Sequence, residues 1–301
     1  MKAKIFATMK FIGLAACIML GLVSIIGTGG GGGDGGGVAP PGTTIINKDN
    51  VEDIAHRIID SSLLGEDFVS DFGDLQIAGY DCVDQGNVTT TGSISEPPAV
   101  NDTITVTYNN CQEFGIIING SMTVTIKEVS NNFDGTPPYN LKAEIVMSNL
   151  SSEDIDLGLV ATVNGDMTIS ISDNNAGEMS VTIEGNSLTQ QWDSEVETLS
   201  DFLIEMVDNW ATGDYSINLN GTIGSTLLSG SVSFNTITIF TGNENIGTGE
   251  PTAGVLLVIN SIDNSQALLT AKDDGTGLEI KVDAEGDGEY EFETFIPYGD
   301  L

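Results

Sequence analysis

Alternation of apolar and polar side chains dominates this chain between residues 102 and 296. Such period-two alternation is typical of β-strands that bury one face. Asn-Gly and Asp-Gly pairs interrupt the alternation and indicate tight turns between strands. The clearest predicted strands are Asp102–Asn110, Ile116–Val129, Leu141–Met147, Leu157–Val163, Met167–Ser172, Met179–Glu184, Tyr215–Leu219, Gly230–Phe240, Val255–Asn260, Ala267–Ala271, Leu278–Asp283 and Glu289–Ile296.

Short connections between successive strands favour antiparallel neighbours and therefore a meander. So many twisted strands seldom stay flat, which favours an open barrel or a sandwich. Segment 194–209 is compatible with a helix or a strand, and we favour a strand. The predicted fold class is mostly β: a long antiparallel meander curled into an open barrel or sandwich, preceded by one short α-helix.

A short sequence motif recurs along the strands, in which a glycine and a polar residue precede an alternating segment. The glycines are Gly120, Gly165, Gly177 and Gly230. Their spacings are too unequal for a solenoid repeat, so we interpret them as turn glycines of successive hairpins. The methionines that follow share the inward phase and are predicted to be core residues; they are Met122, Met167 and Met179.

One helix is predicted before the strands, from Asn50 to Leu64. Its apolar side chains recur on one face, Asp49 or Asn50 is available as the N-cap, and Gly65 ends it. His56, the single histidine, lies beside the apolar stripe and is expected at the surface or at its edge.

The N-terminus has the pattern of an export signal. Three lysines in the first ten positions precede an apolar run over residues 11–26. We therefore predict a signal peptide or N-terminal anchor over residues 1–28 and a Gly/Pro-rich linker over 29–44. Residues 45–301 are predicted to form a single β-rich domain. The expected location is the periplasm, the outer membrane or the cell surface.

Cys17 lies within the apolar run, in the sequence Leu14-Ala-Ala-Cys17. This sequence resembles the lipobox of bacterial lipoproteins, in which the cysteine is lipidated. Apolar residues continue after Cys17, unlike in a typical lipobox. Lipidation of Cys17 and an ordinary role in the signal helix both stay open.

The chain is strongly acidic, with nine Lys and Arg against 44 Asp and Glu and a formal charge of −35. Nucleic-acid binding is excluded because phosphate contacts require clustered basic residues. The same reasoning leaves the N-terminal segment or an attached lipid as the only expected membrane contact. Such acidity favours solubility and attracts cations.

Cys82 and Cys111 both follow the signal and flank a segment that holds a hairpin. In an oxidising compartment we expect them to form a disulfide. A metal site is the weaker interpretation, because no histidine lies near the pair.

An acidic stretch near the C-terminus has the spacing of the first half of a calcium loop. Asp283, Glu285 and Asp287 supply oxygen ligands at alternate positions, and Gly288 is the sixth residue. The twelfth position is Thr294 instead of glutamate. A calcium site and a plain hairpin with a solvated acidic face therefore both stay open, and no other cofactor is predicted.

No set of residues assembles a recognisable catalytic centre, since the carboxylates are too numerous to single out a pair. We therefore expect a protein that is not an enzyme.

Three stretches resemble a loose group of uncharacterised exported β-rich proteins and lipoproteins of Gram-negative bacteria, which carry a Gly-rich linker after the signal. These stretches are Asp102–Cys111 with Ile118–Gly120, Pro251–Val258 and Ile280–Glu291. A helix followed by a curved meander is also similar in outline to open-barrel lipoprotein carriers of the bacterial envelope.

The function expected from these observations is that of a non-catalytic cell-envelope or surface protein that acts as a scaffold or interaction module. The alternative is a carrier of a hydrophobic ligand in an open β-barrel. The expected partner is accordingly an envelope protein or a hydrophobic ligand.

Overall fold

The computed structural model describes residues 45–59, 80–95, 97–130, 138–192, 195–228, 230–247 and 249–301. The predicted signal peptide, Cys17 and the linker lie outside these residues, as does the predicted helix beyond residue 59. Within them, a helix α1 (residues 51–59) precedes a single fourteen-stranded sheet. A short 3-10 turn, Tyr298–Asp300, follows the last strand. No helix in the described part of the chain is long and apolar enough to cross a membrane.

Every strand pairs with its neighbour in the chain, and all the pairings are antiparallel. The strands are β1 (Tyr80–Asp81), β2 (Gln85–Ser93), β3 (Thr103–Glu113), β4 (Ile116–Ser130), β5 (Tyr139–Asp154), β6 (Leu159–Asp173), β7 (Glu178–Trp192), β8 (Glu195–Asn209), β9 (Asp214–Ser225), β10 (Gly230–Asn243), β11 (Pro251–Ile259), β12 (Gln266–Ala271), β13 (Gly277–Asp283) and β14 (Phe292–Pro297). Among the described residues β1 and β14 do not pair with each other, so the sheet is not closed. The predicted mostly β meander with one short helix is confirmed.

Three segments show where the strands predicted from the sequence match the structure and where they differ. The ambiguous segment 194–209 contains a strand, β8, as favoured. The two strands predicted at Leu157–Val163 and Met167–Ser172 are one strand, β6. Strand β2 is missing from the prediction, because Val88 is its only buried residue and its sequence lacks an apolar alternation.

The interpretation of Gly120 and Gly165 as turn residues is wrong. Both lie inside strands, at points where the pairing shifts register. Both have positive φ, 98° and 136°, and a Cβ at either position would collide with a carbonyl oxygen of the neighbouring strand. Glycine is needed there because other residues disfavour this backbone and lack the space. The bulges bend the long strands and increase their twist.

Phenylalanine rings occupy the inner face where the adjacent strand carries glycine. Phe202 of β8 lies directly opposite Gly185 of β7, and its ring occupies the space that a Cβ would need. Phe240 of β10 covers Gly254 of β11 in the same way. A ring over a glycine keeps the core filled while the strands bend.

One face of the sheet forms a continuous apolar core. In β5, for example, alternate residues are buried, namely Leu141, Ala143, Ile145 and Met147. The inward phase predicted for the methionines is confirmed, because Met122 and Met167 are buried and Met179 packs against the core. The inner side chains pack in one cluster that also includes residues of α1.

Helix α1 packs on the inner face through four fully buried residues, Val51, Ile54, Ala55 and Ile58. These positions recur on one face of the helix, as the apolar pattern predicts. His56 is half-buried at the edge of this face, where it was expected.

The N-terminus of α1 is capped earlier than expected. The Asn47 side chain accepts the Asp49 N–H at 2.8 Å, and the Asn50 side chain accepts the Asn47 N–H at 3.0 Å. This reciprocal pair resembles a capping box, in which two side chains satisfy free N–H groups at the start of a helix.

Candidate functional site

The acidic loop between β13 and β14 is organised around Asp283, which is fully buried. Its carboxylate accepts backbone N–H groups from Gly286 at 2.7 Å and Gly288 at 2.8 Å. It also accepts the Asp287 N–H at 3.2 Å and the Gln266 side-chain amide at 3.0 Å. Burial opposes ionisation, but these donors, led by Gly288 and Gln266, hold the pKa of Asp283 below its usual value.

The predicted calcium ligands are only partly brought together. Carboxylate oxygens of Asp283, Asp287 and Glu291 lie within 4.8 Å of one another, whereas Glu285 is exposed and is not in this group. Glu291 accepts the Ala284 N–H at 3.0 Å. The loop's own N–H groups therefore already donate to its carboxylates, and a calcium site and a plain acidic hairpin both stay open.

Cys82 and Cys111 form a disulfide with a Cα–Cα distance of 5.4 Å. Cys82 follows β1, and Cys111 lies in β3, two strands away. The bond therefore ties the start of the sheet to a strand within it. Both residues are buried.

Glu113 lies beside this disulfide and is only 3% exposed. One carboxylate oxygen accepts the Val83 N–H at 3.2 Å, and the other is buried with no hydrogen-bond partner among the described residues. Burial, with a contribution from the charge of Asp84, raises the pKa of Glu113, although the Val83 N–H opposes the shift. An oxygen of Glu113 lies within 4.8 Å of both sulfur atoms.

Arg57 connects α1 to the start of β8. Its guanidinium contacts Glu195 at 2.7 Å and also pairs with Glu197, and all three side chains are mostly buried. Burial opposes the positive charge, but Glu197 and Glu195 raise the pKa of Arg57. The cluster holds the helix against the sheet.

Large apolar side chains are exposed at the end of the sheet where β3 and β5 finish. Phe114 in the β3–β4 turn is 75% exposed, and Leu157 in the β5–β6 turn is 70% exposed. We name this surface the apolar rim, which comprises Val83, Phe114, Ile155, Leu157, Leu159 and Val160.

Backbone contacts bring the segments of the apolar rim close to one another. The Ile155 N–H donates to the Gly115 carbonyl at 2.9 Å, which joins the two turns. The Asp84 N–H donates to the Gln112 carbonyl at 3.1 Å, which places Val83 beside the end of β3. Several large exposed apolar side chains in neighbouring segments are a feature of protein interaction sites.

Acidic residues surround the apolar rim. Asp84, Glu153, Asp154 and Asp156 lie in the same segments, and residues 82–84, 112–118 and 152–161 contain no lysine or arginine. The surface therefore combines apolar contact area with negative charge.

Comparisons with protein-family models, with curated proteins and with solved structures find no match to this chain.

Sequence reasoning missed the apolar rim and Glu113. The rim comes from three separate segments, which contain Val83, Phe114 and residues 155–160, and only strand pairing and the contacts between turns bring these segments together. Phe114-Gly115 between two predicted strands was the available signal for an exposed apolar turn residue.

Proposed function

We propose that this protein is a non-catalytic, exported cell-envelope protein whose β-sheet body acts as an interaction module. Its binding surface is the apolar rim, and the predicted linker connects that body to an N-terminal anchor, an attached lipid or a cleaved signal. The observation that carries the proposal is the exposure of six large apolar side chains in neighbouring segments at one end of a long-stranded sheet.

The chemistry of the rim specifies the partner. Phe114 and Leu157 are suited to an apolar pocket, and the carboxylates around them are suited to lysine or arginine at the pocket's edge. The partner is therefore a protein with a basic surface around an apolar groove.

The alternative function is that of a carrier of a hydrophobic ligand, which would bind on the inner face of the sheet. Its side chains are buried against one another and against α1, whereas the rim is open to solvent. This difference favours the rim.

Site-specific photo-crosslinking in the cells that produce the protein tests the proposal. A photoreactive residue at Phe114 or Leu157 should give a discrete crosslinked partner, whereas one at Glu128, at the opposite end of β4, should not. The purified partner should bind the original chain and lose at least about tenfold in affinity to F114S/L157S.

Equal crosslinking at the rim and at Glu128, or unchanged affinity of F114S/L157S, would contradict the proposal. Because both replaced side chains are exposed, the double variant should retain the original melting temperature.

A further inference from the structure

Glu113 is a buried carboxyl group whose second oxygen lacks a partner among the described residues. A buried polar atom without a hydrogen bond is unfavourable, so this oxygen is available to a ligand that forms beside it. Two sulfur atoms lie within 4.8 Å of a Glu113 oxygen, so the same small volume contains three groups that can bind a metal once the disulfide is reduced.

The metal-binding capacity of this cluster depends on the state of the sulfur atoms. In the disulfide, the sulfur atoms are poor ligands, whereas two thiolates and a carboxylate are a suitable set for Zn²⁺. Ligand atoms around a tetrahedral zinc lie about 2.0–2.3 Å from the metal. The cluster therefore requires only a small rearrangement once the sulfur–sulfur bond opens.

We propose that Cys82, Cys111 and Glu113 form a Zn²⁺ site when the two cysteines are in the dithiol form. A water molecule completes the tetrahedral coordination. The proposal does not rest on the proposed interaction function, although Val83 and Phe114 of the apolar rim directly follow the ligands Cys82 and Glu113 in the chain.

Conversion of the disulfide to the zinc form takes two steps. A dithiol reductant transfers two electrons and two protons to the disulfide, so that the sulfur–sulfur bond breaks and the reductant becomes a disulfide. Zinc then binds the two thiolates and the carboxylate, and the thiol protons are released to solvent. The zinc form and the disulfide form exclude each other.

Cobalt titration of the reduced protein tests this site. The full chain should carry C17A, so that only Cys82 and Cys111 supply thiols, and should be reduced with a phosphine. One equivalent of Co²⁺ should give thiolate-to-cobalt charge-transfer absorption and tetrahedral d–d bands, and Zn²⁺ should displace it.

Three variants assign the ligands. C82S and C111S should each weaken the charge-transfer absorption. E113Q should reduce cobalt affinity by more than about tenfold, and the matched control E153Q, whose carboxylate is exposed on β5, should not. The oxidised chain should show no thiolate absorption.

Absence of charge-transfer absorption in the reduced chain would overturn the proposal, as would equal affinity of E113Q and the original chain. If reduction abolishes the β-sheet circular dichroism signal, zinc should restore it. Failure to restore it would also overturn the proposal.

Discussion

Glu113 shows how a single side chain can couple stability to pH. Burial raises the pKa of Glu113, so the folded protein retains a proton that the unfolded chain has released. The stabilising contribution of Glu113 to the free energy of unfolding is therefore fully present below the ordinary pKa of glutamate. It is lost as the pH rises through the raised folded-state pKa.

The variant E113Q should remove this loss of stability at higher pH. Relative to the original chain, its free energy of unfolding should increase as the pH rises above about 4.3, the ordinary pKa of glutamate, because glutamine carries no charge to bury. Urea unfolding of both oxidised proteins across this range measures the difference. A constant difference across the range would contradict the prediction.

The Asp283 carboxylate already accepts hydrogen bonds from the N–H groups of its own loop, and these donors stabilise its negative charge as a bound cation would. We therefore expect the melting temperature to be the same in chelator and in millimolar calcium at matched ionic strength. A rise specific to calcium, absent with magnesium and lost in D287N, would instead support the calcium-loop interpretation.

At the scale of elements, the Arg57 cluster holds α1 on the sheet. The variant R57A should lower the free energy of unfolding by about 3 kcal/mol, because Glu195 and Glu197 would remain buried without the Arg57 guanidinium. Denaturant unfolding measures this loss. The triple variant R57A/E195Q/E197Q should recover part of it, and no recovery would contradict an electrostatic origin.

A second prediction at the scale of elements concerns the stability effect of replacing a bulge glycine. G165A should lower the free energy of unfolding by about 1–3 kcal/mol, because the added Cβ would collide with the Ser187 carbonyl at a positive φ. G158A is the control, since Gly158 has a positive φ but open space around it. Denaturant unfolding measures both variants. Equal losses of the free energy of unfolding would show that the close approach of β7 to Gly165 is unimportant.

At the scale of the whole molecule, the charge of −35 produces self-repulsion. Raising NaCl from about 0.01 M to about 0.15 M shortens the screening length from about 30 Å to about 8 Å. The melting temperature should therefore rise, because exposed pairs such as Lys127–Glu144 contribute little that salt could remove. A fall in calorimetry would show that attractive pairs dominate.

Strand prediction along the whole chain succeeded where alternation was strong and failed where it was weak. Strand β8 was identified from its apolar run, whereas β2 has one buried residue and was missed. The division of β6 into two strands followed from Gly165, since a glycine in sequence does not distinguish a turn from a bulge. Whether a glycine lies in a turn or in a bulge depends on its pairing with the neighbouring strand.

Local sequence patterns are sufficient to predict the mostly β class, the antiparallel meander, the helix before it and the pairing of Cys82 with Cys111. These features follow from local periodicity, short connections and cysteine count. The bulges, the placement of Glu113 beside the sulfur atoms and the proximity of the rim segments emerge only in the folded structure. Each of these depends on contacts between residues distant in the chain, which local patterns do not encode.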